Sequence, residues 1–599
     1  MLATLLYAAG MYMVLATVLL ACWGIGSFGI GARINSSSDG DGDGPLLAVM
    51  AVLLGLAVAI CVCQGLAVAG GFNAVNVGLM WAMGLLSAAV RLWRRWRQPH
   101  RSRTKPEPWT PAARVAFALL ALLLLSTLPK PLGPPLAWDE LMYHLPHARL
   151  WALDGKLTVH PWLRYPWFPY NIDLLYACAL LFGSDVMPHL LNGACGWLTA
   201  LLVYRLGRQY ADRTTACIAA AIWLKLTGSE YASAYVDMPV SLFVFGGMVG
   251  FLQWHRSRAA DGADARRWLA IGALFLGVAA GSKYQALMVL PPFAVLLVRR
   301  DRSAKTGLIA VAALLLPSAY WYARNTLQTG DPFAPIGGRF FGFTDWNLED
   351  YRVQFADLHK NAGWPHWLLW PALFTPFMAR MRKRPEWRAA LWLGAYLLAT
   401  WALTSRYPRY LMPAYPVLAL LAATAWLAGG RLLLSTPPLR AVRERLGTVR
   451  NTHRPLPAWG LLAVACLALL GTNRHIGRIA PTEARRERVL AANVTGYDTL
   501  VHLRQLPPGK VYQMGLEDAI YYTPGQVHGD VFGPWRYRDF SELAPEALHR
   551  VLVQQDFDTL LVHSARVPGV ESRPGFRRFF ERLHAHGDVS LYRVVRDTP

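Results

Sequence analysis

The chain is 599 residues long and 54% hydrophobic, with 60 Lys and Arg against 37 Asp and Glu and a net charge of +23. Apolar runs of about 15–25 residues, the length needed to cross a bilayer, recur along most of it and exclude a soluble globular fold. The basic residues form no patch for nucleic acid; they come in runs between apolar segments, as positive charge held on the cytoplasmic side of a membrane does.

Apolar segments are predicted at 3–31, 46–70, 75–92, 115–130, 185–204, 214–230, 238–254, 267–281, 285–299, 306–322, 366–380, 389–404, 410–430 and 456–472. They predict a mainly α, polytopic bundle of about 14 transmembrane helices. Fixing the basic runs Arg91–Arg103, Arg256–Arg267, Arg299–Lys305, Arg380–Arg388 and Arg431–Arg454 inside sorts the later loops without exception. The other side then receives 131–184, 231–237, 282–284, 323–365, 405–409 and the tail after 473. The acidic, Gly-rich Ser36–Gly44 suits either side. The N-terminal apolar run lacks a basic flank and a cleavage site and is expected to be a retained helix. All seven cysteines lie in apolar stretches, without disulfide or zinc spacing.

The tail changes character. Gly509–Gly515 and Phe557–His563 read as buried strands, Leu543–Gln555 and Pro574–His584 as helices, and Asp588–Val595 as a last strand. Three regions are expected: 1–110, extra helices and a basic cytoplasmic loop; 111–474, the main membrane module; and 475–599, a small extracytoplasmic α/β domain.

The residues with chemistry to offer fall on the outer side. Asp139 and Glu140 sit side by side in the Pro- and Trp-rich loop Trp138-Asp139-Glu140-Leu141-Met142-Tyr143-His144. On an α-helix Asp139 shares a face with Tyr143, and Glu140 shares another with His144 and His147. Glu140, His144 and His147 are also ligand types for a divalent metal, but no further ligand accompanies them. Asp237 opens a helix after Tyr235-Val236, either as its cap or as a second acidic group facing the first. Lys283, Arg324 with Asn325, Arg406 and Arg409 place positive charge on the side where orientation signals disfavour it. An anionic substrate group is the economical reason.

Four stretches together resemble the GT-C superfamily of membrane glycosyltransferases, which includes protein O-mannosyltransferases and the aminoarabinose transferases of lipid A. They are Trp138–Tyr143, Leu202–Arg208, Tyr235–Pro239, and the late pair Tyr322–Pro332 and Arg409–Pro413. About three helices precede the family's usual first one, and its Lys-Pro-Pro segment appears here only as Arg164-Tyr165-Pro166-Trp167-Phe168-Pro169. The resemblance implies transfer of a sugar, with inversion, from a polyprenyl-phosphate donor to an extracytoplasmic hydroxyl on a glycan, lipid or protein. Asp139 would be the general base, with Glu140 and Asp237 beside it. Tyr143, His144, Lys283, Arg324, Asn325, Arg406 and Arg409 would bind substrate at a bacterial inner membrane. No cofactor is called for and no metal is indicated. The other readings are a transporter of lipid-linked sugars, which would show two related halves with broken helices, and a non-catalytic membrane scaffold.

Overall fold

The computed structural model describes residues 2–30, 44–97, 108–257, 262–436 and 471–596. Each apolar segment predicted between residues 3 and 430 coincides with helical chain. Among the described residues, six helices are long and apolar enough to cross a membrane: Leu2–Ile30, Gly44–Val68, Ala74–Trp96, Pro111–Leu132, Ala304–Thr329 and Pro408–Leu433. Met187–Tyr210 and Asp237–Ser257 have comparable length, with 24 and 21 residues, but carry His189, Asn192 and Asp237. They tolerate these groups because neighbouring helices, not lipid, cover them.

Close packing among the first three helices rests on small residues. A β-carbon on Gly26 would overlap the carbonyl of Ala51; one on Gly55 would overlap that of Cys22; one on Gly24 would overlap that of Gly84. Without a hydrophobic drive between helices in lipid, backbone approach of this kind is what holds them. Farther along, Asn171 ties several elements together. Its Nδ2 donates to the carbonyl of Pro317 (2.9 Å), while its Oδ1 accepts from Trp321 Nε1 (2.7 Å) and Gln64 Nε2 (3.2 Å).

Three predicted elements differ. The segment 366–380 is no span: it is the 3-10 run Trp367–Phe377, interrupted by Pro371 and Pro376, which remove backbone donors and crowd the preceding turn. The segment 285–299 splits into a 3-10 stretch, Tyr284–Val289, and the helix Leu290–Arg300, with prolines at the junction. The outer stretch 131–184 contains the helices Leu145–Asp154 and Asn171–Leu181. The predicted helix 456–472 lies almost wholly outside the described residues, as do Ser36 to residue 43 and most of the last basic run.

The C-terminal domain carries a five-stranded sheet: β1 Lys510–Met514, β2 Gln526–His528, β3 Thr559–His563, β4 Phe580–His586 and β5 Val589–Val594. The order is β2-β1-β3-β5-β4. The three inner-sheet pairs β1–β2, β1–β3 and β3–β5 are parallel, parallel and antiparallel. The predicted helix 574–584 is a single turn, Phe576–Phe579, after which the chain turns back antiparallel along β5. Tyr512, Met514, Leu560, Val562, Leu552, Phe576 and Tyr592 fill a core of its own.

Replacing Gly26 with Val should overpack the first two helices. A loss of about 1–3 kcal/mol is expected, read as a lower Tm and a reduced monodisperse fraction in detergent. An unchanged Tm would mean that these helices do not meet there.

Candidate active site at the outer acidic loop

The acidic loop is shaped by Glu140. Its Oε1 accepts the backbone N–H groups of Leu136 and Ala137, both at 2.6 Å. Its Oε2 accepts the N–H of Ala234 (2.5 Å) and Nε2–H of His189 (2.8 Å). Glu140 is fully buried. Every one of its lone pairs is thus directed at the protein, which gives it the geometry of a fastener between two loops and a helix. The chain then makes one π turn, Glu140–His144, closed by Leu145 N–H on the carbonyl of Glu140. Such a turn is rare and frequent at functional sites. The two polar side chains at its ends take different partners, Glu140 the ring of His189 and His144 the carboxylate of Asp173.

Asp139 faces the other way, into a cluster drawn from segments far apart in sequence. Its Oδ2 accepts from Arg409 Nη2 at 2.6 Å. Arg409 Nε lies 3.6 Å from Asp237 Oδ2, and Asp237 Oδ1 accepts from Lys283 Nζ at 2.6 Å. Two carboxylates and two cations therefore alternate along one line. Aromatic rings wall it: Arg409 lies over Tyr235 at 4.6 Å and Lys283 over Tyr410 at 4.6 Å. The Asp139 backbone N–H donates to Tyr235 Oη at 3.3 Å. Burial alone would raise the Asp139 carboxyl, but Arg409 and, after it, Lys283 outweigh it and hold it below the usual carboxylate range.

Asp139, Asp237, Lys283 and Arg409 are thus brought together, and Tyr143 and His144 adjoin them with ring centroids 4.2 Å apart. Arg324 and Asn325 stand behind. Arg324 donates to Asn325 Oδ1 (2.9 Å) and lies over Trp321, while Asn325 Nδ2 donates to the carbonyl of Trp167 (2.8 Å) and to Tyr284 Oη (3.0 Å). They knit outer loops next to Lys283 rather than joining the cluster. Arg406 is not brought in: its guanidinium lies over Trp364 at 4.8 Å, at a backbone φ of 52°. Glu140, His144 and His147 do not converge either, because His144 turns to Asp173 and His147 Nε2 to the carbonyl of Arg164 at 2.9 Å. Among the described residues no three His, Cys, Asp or Glu side chains are grouped to hold a metal.

Sequence reasoning missed His189, Asp173 and Glu230. His189 and Asp173 had a signal, since ionisable groups in apolar helices are functional candidates by default. Glu230 had none beyond its loop position. Its Oε2 is buried without a hydrogen-bond partner among the described residues, and burial first, then Asp237, push its carboxyl up to about 7.

The C-terminal domain roofs this loop. Tyr522 Oη donates to the carbonyl of Pro135 (2.9 Å), Arg149 Nη1 to that of Tyr521 (2.6 Å), and Arg566 lies over Trp138 at 5.0 Å. Arg164 and Asp530 form a buried ion pair across the same seam, Nε to Oδ2 2.9 Å.

Because the raised Glu230 carboxyl makes the folded state bind more protons than the unfolded chain, stability should fall as pH rises from 4.5 to about 7. Glu230→Gln removes that group, so its Tm–pH curve should be flatter over this interval and lie above wild type at pH 8. A curve parallel to wild type would refute the assignment.

A family model described as dolichyl-phosphate-mannose-protein mannosyltransferase matches residues 160–321, and one described as SF2091/S2213 matches 485–593. The protein SF2092/S2214 of Shigella flexneri is 30% identical over 138 residues, which are 20% of this chain and 72% of that protein. Among solved structures, ArnT from Cupriavidus metallidurans in the apo state superposes with a TM-score of 0.51 at 15% identity, covering 81% of this chain and 99% of that one. Its complex with undecaprenyl phosphate gives 0.50 at 14% identity, covering 82% and 99%. The chain belongs to the family of SF2092/S2214, is a multi-pass membrane protein, and carries the fold of the GT-C superfamily of membrane glycosyltransferases.

Proposed function

We propose that the protein transfers one sugar from a polyprenyl-phosphate carrier to a hydroxyl group outside the cytoplasm of a bacterial inner membrane. The observation that carries this reading is the line Asp139–Arg409–Asp237–Lys283, built at the mouth of a membrane bundle from outer segments far apart in sequence. The neighbour ArnT binds undecaprenyl phosphate, which supports the same class of carrier here.

The chemistry asks little of the protein besides charge and a base. A phosphate is a stable leaving group, so no general acid is required. Negative charge grows on its oxygens as the glycosidic C–O bond breaks, and preorganised cations stabilise it. Lys283 and Arg409 are the cations for this task. Arg409 Nε is buried with no hydrogen-bond partner among the described residues, a donor in reserve for a phosphate oxygen. Asp237 holds both cations in place. Drawing Arg409 toward the phosphate loosens its hold on Asp139, whose carboxylate then accepts the proton of the attacking hydroxyl. Direct displacement inverts the anomeric centre. Glu140, enclosed by its four hydrogen bonds, shapes the loop in this scheme, and Tyr143 and His144 line the acceptor side.

Asp139→Asn keeps the size of the side chain but cannot accept the proton. Turnover should fall at least ~100-fold, with donor affinity and Tm near wild type. Arg409→Ala and Lys283→Ala should instead weaken donor binding by about 10–150-fold, the effect of losing a charge-assisted contact of about 1.5–3 kcal/mol. Titration with a polyprenyl-phosphate sugar separates the two outcomes. If Asp139→Asn turns over normally while Asp237→Asn is dead, the base is misassigned.

Reporter fusions give the topology. Fusions within the runs beginning at Arg91, Arg256 and Arg431 should report cytoplasm, and a fusion after Pro599 the outside. A cytoplasmic signal from the last would put the site on the wrong face for this reaction.

A further inference from the structure

Three histidines surround the acidic loop, and they are used in opposite ways. His147 donates Nε2–H to the carbonyl of Arg164, and His189 gives Nε2–H to Glu140; in both, Nδ1 is sealed without a partner. These are packing histidines with one useful nitrogen each, and that nitrogen is spent. His144 is arranged differently. Its Nδ1 lies 2.7 Å from Oδ1 of Asp173, which fixes the proton on Nδ1 and leaves Nε2 as a bare acceptor. Nε2 has no partner among the described residues, and unlike the idle nitrogens of its neighbours it is not sealed.

Asp173 is fully buried, and its second oxygen, Oδ2, has no hydrogen-bond partner among the described residues. A carboxylate kept in such a place is costly unless a positive or polarisable partner balances it. His144 is that partner, through the 2.7 Å contact of its Nδ1. The pair is therefore built to take up a proton, in the manner of a carboxylate that orients an imidazole and stabilises its charged form.

The pair also adjoins the wall of the acidic cluster. The π turn carries Asp139, Tyr143 and His144 toward the same wall. Asp139 N–H donates to Tyr235 Oη at 3.3 Å, and the His144 ring lies 6.3 Å from that of Tyr235. The groups that face His144 are Asp173 and Tyr170 from the helix behind it and its lead-in, Tyr235 across the cleft, Asp139 with its partner Arg409, and His147 a turn onward. Asp139 is itself a poor place to leave a proton, because Arg409 and Lys283 favour its ionised form.

We infer that the buried pair of His144 and Asp173 is the proton acceptor behind Asp139. This rests on the transferase reading. As the acceptor oxygen bonds to the anomeric carbon, the C–O bond to the carrier phosphate breaks and its electron pair leaves on the phosphate. The hydroxyl proton moves to Asp139 and on to Nε2 of His144, and Asp173 holds the resulting imidazolium. The proton returns to water when the products leave. His144 acts through Asp139 and is a positioning and relay residue, while Asp139 touches the substrate.

The test uses the purified full-length chain and a synthetic polyprenyl-phosphate-linked sugar, following donor consumption, to an added acceptor or to water, from pH 5 to pH 9. The wild-type rate should decline toward the acid side. His144→Gln should be at least about 10-fold slower at pH 7, with its acid-side decline displaced to lower pH and its donor affinity unchanged. Asp173→Asn keeps the ring but withdraws its counter-charge, and should displace the decline in the same direction. If either variant keeps the wild-type profile, or loses the same factor at every pH, the pair is structural and the inference is overturned. Should His144→Gln fail to fold, Asp173→Asn decides by the same criterion. Wild-type protein that never consumes the donor overturns the transferase reading, and this inference with it. An active wild type with Asp139→Asn dead and both pair variants intact overturns the inference alone.

Discussion

The four hydrogen bonds accepted by Glu140 are the constraint on which the site depends. They clamp the backbone at Leu136 and Ala137, the backbone at Ala234, and the ring of His189 to one carboxylate. Ala234 lies three residues before Asp237, and Ala137 two before Asp139. Clamping both backbones to one point therefore fixes the distance between the carboxylates of Asp139 and Asp237. The interaction is strong because charged acceptors form the shorter, stronger hydrogen bonds. It is also unforgiving, since a buried carboxylate with a missing partner bears the full desolvation penalty.

With Glu140 fixed, the remaining charges arrange themselves. Asp139 and Asp237 would repel across a narrow cleft, and Lys283 and Arg409 would repel likewise. Alternation resolves both conflicts and leaves the resting cluster without net charge. An entering phosphate then meets cations that already have partners. In the proposed reaction it must compete for them, and that competition would couple carrier binding to release of Asp139. An apolar carrier lacking its phosphate gains nothing from the exchange, so the arrangement discriminates by charge rather than by shape.

Much of this was legible from residue order. The apolar segments, the alternation of basic loops, and the common side of Asp139, Asp237, Lys283 and Arg409 all follow from composition along the chain, and contacts among these four bear the last one out. What was not legible depends on local geometry or on long-range pairing. The π turn has no sequence signature, and the partners that draw Glu140 to His189 and His144 to Asp173 lie far along the chain. Arg406 looked like Arg409, yet the left-handed backbone at Arg406 swings its side chain onto Trp364. The 3-10 run at Trp367–Phe377 passed as a membrane span because hydropathy does not weigh two prolines against a helix. The helix expected at 574–584 was overridden by pairing with β5, a partner that no local window contains.

The roof that the C-terminal domain places on the acidic loop has a consequence for the birth of the protein. Pro135 and Trp138 are synthesised well before their partners Tyr522 and Arg566. Domains fold largely in order of synthesis, so the bundle forms while its reactive loop still lacks its cover. Arg164 likewise waits for Asp530. A nascent or prematurely ended chain is therefore inserted but unfinished, with an uncovered loop and an uncompensated buried guanidinium. Covering of the loop is thereby tied to delivery of the C-terminal domain to the face of the membrane on which the loop lies.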